Sequence, residues 1–173
     1  MLRAFVLAVM LAASAMFALS PSARADAFDN AMTAYTRGDY KTVLAILRPL
    51  AEKGDSASQY QLGAMYRFGK GVKKSNSQAV EWYRKSAAQG NSDAQNNLGV
   101  MHELGAGVPK SFSTAARWYG KAADKGDPLA MGNLGVLYLK GLGVKQDAAR
   151  ARELFVNGAA QGDKRSKKYL KQL

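Results

Sequence analysis

Gly54, Gly90, Gly126 and Gly162 stand 36 residues apart, and so do Leu62, Leu98, Leu134 and Leu170. The same register carries Gly63, Gly99 and Gly135, the pairs Gly69/Gly71, Gly105/Gly107 and Gly141/Gly143, and the valines Val72, Val108 and Val144 that follow each pair. Ala79, Ala115 and Ala151 keep it too, then Trp82, Trp118 and Leu154, Tyr83, Tyr119 and Phe155, and Ala87, Ala123 and Ala159. A period of this length dictates a stacked architecture. Each unit is one small supersecondary structure that cannot bury its apolar face alone, so copies pile up and share cores.

Each unit reads as two helices. Asp55, Asn91, Asp127 and Asp163 sit where an N-cap is wanted, each after a glycine able to close the preceding helix in the left-handed conformation. Pro128 after Asp127 fits the first helical position. The first helix then places Leu62, Met65 and Tyr66 on one face, repeated by Leu98, Met101 and His102 and by Leu134, Leu137 and Tyr138. The G-x-G-V segment turns the chain, and Ser75, Ser111 and Asp147 cap the second helix, Ser75 pairing with Gln78 in a capping box. Gly63 in mid-helix costs about 1 kcal/mol relative to Ala, so a neighbour needs the space. The expected occupant is the Trp82-type ring, with small Ala79 and Ala87 beside it.

The repeat divides the chain into units 54–89, 90–125 and 126–161. Residues 26–53 form a degenerate leading hairpin without the G-x-G-V, and 162–173 form a closing helix whose Tyr169, Leu170 and Leu173 pack inward and whose outer face is basic. Residues 1–25 read as a signal peptide: a basic start at Arg3, an uncharged apolar run from Ala4 to Leu19, and the A-x-A triplet Ala23-Arg24-Ala25. The run is shorter than the ~20 residues of a membrane span. Cleavage after Ala25 removes Arg3 and Arg24 from the formal charge of +12 and leaves +10 on 148 residues. The expected location is the periplasm or the exterior. There a basic chain meets acidic protein faces, anionic glycans or lipid headgroups rather than nucleic acid.

At these residues the sequence resembles the Sel-one-like repeat (SLR) family, relatives of tetratricopeptide repeats (TPR). The shared pattern is A-x-x-x-L-G-x-x-Y-x-x-G-x-G-V followed by A-x-x-W-Y-x-x-A-A-x-x-G, covering 54–161, with Ser58, His102, Leu154 and Asp124 as departures. The resemblance implies an all-α fold, a right-handed solenoid of stacked hairpins whose first helices line a concave surface. It also implies an adaptor, scaffold or regulator of envelope protein complexes. Cysteine-rich relatives are associated with β-lactam binding; this chain has no cysteine.

Catalytic chemistry finds little support. Gly69-Lys70-Gly71 lacks the third glycine and preceding strand of a phosphate-binding fingerprint. No G-x-S-x-G or S-x-x-K occurs, and the single histidine, His102, shares the register of Tyr66 and Tyr138. The sequence reading is therefore a non-enzyme with no cofactor and no metal site, acting as a monomer or a weak dimer. Similarity to tetratricopeptide units implies a concave groove through Tyr60, Arg67 and Phe68, then Asn96 and Glu103, then Leu139 and Lys140, with Ala64, Val100, Gly132 and Val136 between. Its expected occupant is another envelope protein or peptide. The alternative is an anionic glycan or lipid on the basic groups Lys70, Lys73 and Lys74 and Lys164, Arg165, Lys167, Lys168 and Lys171. An enzyme acting on peptidoglycan or a β-lactam is the reading with least support.

Overall fold

A computed structural model describes residues 20–173. The apolar run Ala4 to Leu19 lies outside them. The described residues form nine helices and no strand: α1 (Pro21–Thr36), α2 (Tyr40–Glu52), α3 (Ser56–Phe68), α4 (Asn76–Ala88), α5 (Ser92–Leu104), α6 (Phe112–Ala123), α7 (Pro128–Lys140), α8 (Ala148–Ala160) and α9 (Lys164–Leu170). They divide into two compact units, one ending at Ile46 and one spanning Leu47–Leu173.

In the first unit α1 starts at Ser20, whose hydroxyl accepts from Ala23 N, so the Ala23-Arg24-Ala25 triplet lies within the first turns of this helix. Gly38, at φ 76°, reverses the chain, and Tyr35 and Tyr40 meet edge to face at 5.4 Å across the turn. Asp39 accepts from Thr42 N, and these Thr42 bonds hold its carboxyl below the usual range.

In the second unit three helix pairs, α3/α4, α5/α6 and α7/α8, stack in chain order, and α9 packs on the last. Each first helix ends on a left-handed glycine, Gly69, Gly105 or Gly141, and the next cap residue returns to it: Ser75 N to Tyr66 O, Ser111 N to His102 O, Asp147 N to Tyr138 O. All seven cap residues expected from the sequence accept a first-turn N–H through their side chains. The Gly69-Lys70-Gly71 segment is thus a helix-ending turn.

The mid-helix glycines admit a ring, but not the tryptophan. A Cβ on Gly63 would lie 2.6 Å from Tyr83 and one on Gly135 2.6 Å from Phe155, and one on Gly99 would strike Tyr119 in the same way. These three rings are fully buried. Trp82 and Trp118 precede them by one residue, about 100° around the helix. They lie half-buried at the edge of the core, with Lys85 and Lys121 ammonium groups 4.1 and 4.6 Å from their ring centres. Burial pushes the Tyr83 hydroxyl up to about 12.

Units are joined by contacts of two kinds. The second loop glycine lies on the next-door backbone: a Cβ on Gly107 would be 2.5 Å from the Asn76 carbonyl carbon, and Gly143 meets Phe112 and Ser113 in the same way. Buried Gln59 and Gln95 each donate to the last turn of the preceding helix, at Ala51 O (3.0 Å) and Ala87 O (3.1 Å). At the far end Tyr169 stacks flat on Phe155 at 5.0 Å, and Ser166 is fully buried. Leu173, expected to pack inward, is exposed.

Candidate functional site

Along α5, Asn96, Val100, Glu103 and Leu104 recur at intervals of four, three and one, which places them on one side of the helix. Asn97 borders them. Leu129 and Asn133 occupy the matching face of α7. Together with Arg67 from α3, Tyr119 from α6, and Asp163 and Arg165 at the start of α9, these residues enclose a groove of about 550 Å³.

Its floor is a polar chain crossing the repeats. Arg67 donates to Asn97 Oδ1, Asn97 holds the Asp93 carbonyl at 2.9 Å, Asn133 Nδ2 donates to Asn96 Oδ1 at 2.9 Å, and Arg165 donates to Asn133 Oδ1. Asn96 and Asn133 are buried, so their amides are held by these bonds rather than by solvent. Tyr119 donates its hydroxyl to Glu103 Oε2 at 2.6 Å. Burial first, and then the Glu103 carboxylate, raise that hydroxyl far above the phenol range. Asp163 accepts from Ser166 N at 2.8 Å and Ser166 Oγ at 2.5 Å. It fits because position 132 is glycine, whose absent Cβ would strike it. The rim is apolar: Leu104 is 64% exposed and Leu129 55%.

Of the residues expected at a concave face, Arg67, Asn96, Val100 and Glu103 line this groove. The others are not part of its lining. Tyr60 is half-buried against Tyr83 at 5.9 Å. Phe68 is exposed beneath the Arg67 guanidinium. The half-buried Leu139 caps Gln146 through its carbonyl, and Lys140 is exposed at the end of α7. Asn97, Leu104, Tyr119, Leu129, Asn133 and Asp163 line the groove without being expected there from the sequence. Asn97 and Asn133 share one register position, and two asparagines at a mid-helix position was the signal available. Arg165, grouped with the basic outer face, turns instead to the groove floor.

The remaining basic residues Lys70, Lys73, Lys74, Lys164, Lys167, Lys168 and Lys171 are exposed. Lys164, Arg165 and Lys168 border a shallower cavity of about 470 Å³ with Tyr169 and Gln172. His102 is half-buried, with its Nδ1 enclosed and lacking a hydrogen-bond partner. Among the described residues no three His, Cys, Asp or Glu side chains cluster as metal ligands, and no helix is long and apolar enough to cross a membrane.

The Sel1 repeat model matches residues 56–91, 92–127 and 128–163. No curated protein matches. Among solved structures, the chain is similar to c5321, a protective antigen of uropathogenic Escherichia coli displaying an SLR fold, with TM-score 0.80, 33% identity and coverage of 85% of this chain and 32% of that one. It is also similar to a Sel1 repeat protein from Oxalobacter formigenes, with TM-score 0.78, 30% identity and coverage of 83% and 59%. Cysteine-rich protein B of Helicobacter pylori shares the fold at TM-score 0.57 and 21% identity, over 72% of this chain and 94% of that one. The chain thus spans about a third and three fifths of the first two neighbours. With the 36-residue units, the stacked helix pairs and the family match in agreement, this chain belongs to the Sel1 repeat family.

Proposed function

We propose that this protein is an exported, non-catalytic interaction module of the bacterial cell envelope. Its groove across α3, α5, α7 and α9 takes a segment of another envelope protein. Sel1 repeats generally serve as protein-interaction modules, and the basic, apolar and A-x-A elements of residues 1–25 support export. One observation carries the reading. Four alternate helices contribute a polar floor of two hydrogen-bonded sets, Arg67–Asn97 and Asn96–Asn133–Arg165, beneath exposed leucines, an arrangement that leaves both apolar contact area and directed polar groups open to a partner.

The test is a photo-crosslinking amino acid at Leu104 in intact cells, with Val156, an exposed α8 residue, as control. A specific protein captured from position 104 and lost with Arg67→Glu or Asn96→Ala is the expected result. Equal capture from position 156, or capture indifferent to both groove changes, defeats the proposal.

A second reading rests on the cavity beside Lys164 and Lys168. There the closing helix binds an anionic glycan or lipid, with attraction that salt screens over about 10 Å. Purified envelope polymer would bind at low salt and release at high salt; no binding at low salt removes this reading.

A further inference from the structure

We infer that the groove is built for an extended peptide segment carrying two acidic side chains that flank an apolar one. The carboxylates meet Arg67 and Arg165, and the apolar side chain sits against Val100, Leu104 and Leu129. This rests on the reading of the groove as a partner site and adds the chemistry of the partner.

The two arginines carry the argument. Each guanidinium is oriented by a neutral amide oxygen, Asn97 for Arg67 and Asn133 for Arg165. Among the described residues neither groove arginine forms an ion pair with a carboxylate. The two acids of the groove are engaged elsewhere. Glu103 takes the Tyr119 hydroxyl, and the buried Asp163 takes Ser166 and caps α9. A guanidinium presents five N–H donors in a planar fork suited to a carboxylate, and an amide oxygen occupying one donor leaves that fork available. The asparagines thus aim the arginines without neutralising them. The positive charge, +10 without residues 1–25, draws an acidic segment from a distance.

Spacing follows from the same bonds. The guanidinium groups are tied to α5 and α7, the first helices of successive repeats, which both pack on α6 and are bridged by the Asn96–Asn133 bond. An extended chain advances about 3.3 Å per residue, so acidic residues two to four positions apart reach both arginines. Between them the wall is Val100, Leu104 and Leu129, with two leucines exposed. Glu103 stands next to Leu104 on α5, so a third acid at the centre is repelled while an apolar side chain is accepted.

The experiment uses fluorescein-labelled peptides with the cores Glu-Leu-Glu and Glu-Ala-Leu-Ala-Glu in a Gly-Ser frame, and versions with Gln or Lys replacing Glu, titrated by anisotropy against the folded protein. At least one acidic peptide is expected to bind tenfold or more tighter than its Gln isostere, and the Lys versions not at all. Arg67→Gln and Arg165→Gln are each expected to weaken that binding about tenfold, Leu129→Ser to weaken acidic and Gln peptides alike, and Lys167→Gln to leave it unchanged. Circular dichroism melts of each variant show that it folds. Gln peptides equal to Glu peptides, no binding of any peptide, or losses from Lys167→Gln as large as from Arg165→Gln overturn the inference. If position 104 still captures a cell-envelope protein under those outcomes, the partner site stands and only its acidic specificity falls.

Discussion

A methyl group placed on Gly99 would strike the Tyr119 ring, whereas one placed on Gly120 would meet nothing within 4 Å. Both glycines interrupt helices, at a cost of about 1 kcal/mol each relative to alanine. Their substitutions should nonetheless move stability in opposite directions. Gly99→Ala forces a fully buried ring out of place and is expected to destabilise by about 1–3 kcal/mol, with Gly99→Val worse. Gly120→Ala restores helix propensity in open space and is expected to stabilise by about 0.5–1 kcal/mol. Thermal melts of the pair check this, and equal shifts would show that the glycine register has no packing role. The tyrosine, not the preceding tryptophan, fills the glycine notch because one residue of helix rotates the side chain by about 100°.

At the scale of the helix, caps do more than stop fraying. Asp127 begins α7 by accepting Leu129 N at 2.9 Å and Ala130 N at 3.0 Å on Oδ1, while Oδ2 is buried without a hydrogen-bond partner. Burial raises its carboxyl above the ordinary 3.8, helped by the charges of Asp93 and Asp163 and opposed by the two N–H bonds. A folded-state value above the unfolded one means that the folded chain holds the proton more tightly. The stability this gives is complete below the unfolded value and is lost as pH rises through the folded one. Asp127→Asn keeps a capping oxygen but does not titrate. The melting temperature of the variant minus that of the native chain is therefore expected to grow as pH rises from the ordinary carboxylate range through the raised folded-state value, and then to level. A difference that is flat or falls with pH contradicts the assignment.

For the stack of Leu47–Leu173, each helix pair depends on its neighbour for cover, so the last pair depends on α9. Tyr169 lies flat on Phe155, and Ser166 fills the space left by Gly132 and Gly158. Ending the chain after Gln161 uncovers that face and is expected to lower the melting temperature by on the order of 10 °C, with Tyr169→Ala intermediate. An unchanged melt in the truncated protein would mean that α9 is an appendage rather than a cap. The lysines of α9 stay exposed on its outer side.

The sequence alone was enough for the helices of the 36-residue repeats, their ends and their stacking, because these follow from local rules repeated in each unit: a cap here, a left-handed glycine there, an apolar stripe at helical spacing. It also marked Arg67, Asn96 and Glu103 as positions where the units differ. What it could not place was the partnership across units. Arg67 with Asn97, Asn133 with Asn96 and Arg165 with Asn133 join residues 30, 37 and 32 apart, none of which is the period itself. Those offsets depend on how far each repeat is shifted and rotated against the next, which the loop glycines seated on the preceding repeat and the buried glutamines decide. Only the folded stack turns Arg165 from a basic outer face to the groove, and leaves Tyr60, Phe68, Leu139 and Lys140 outside it.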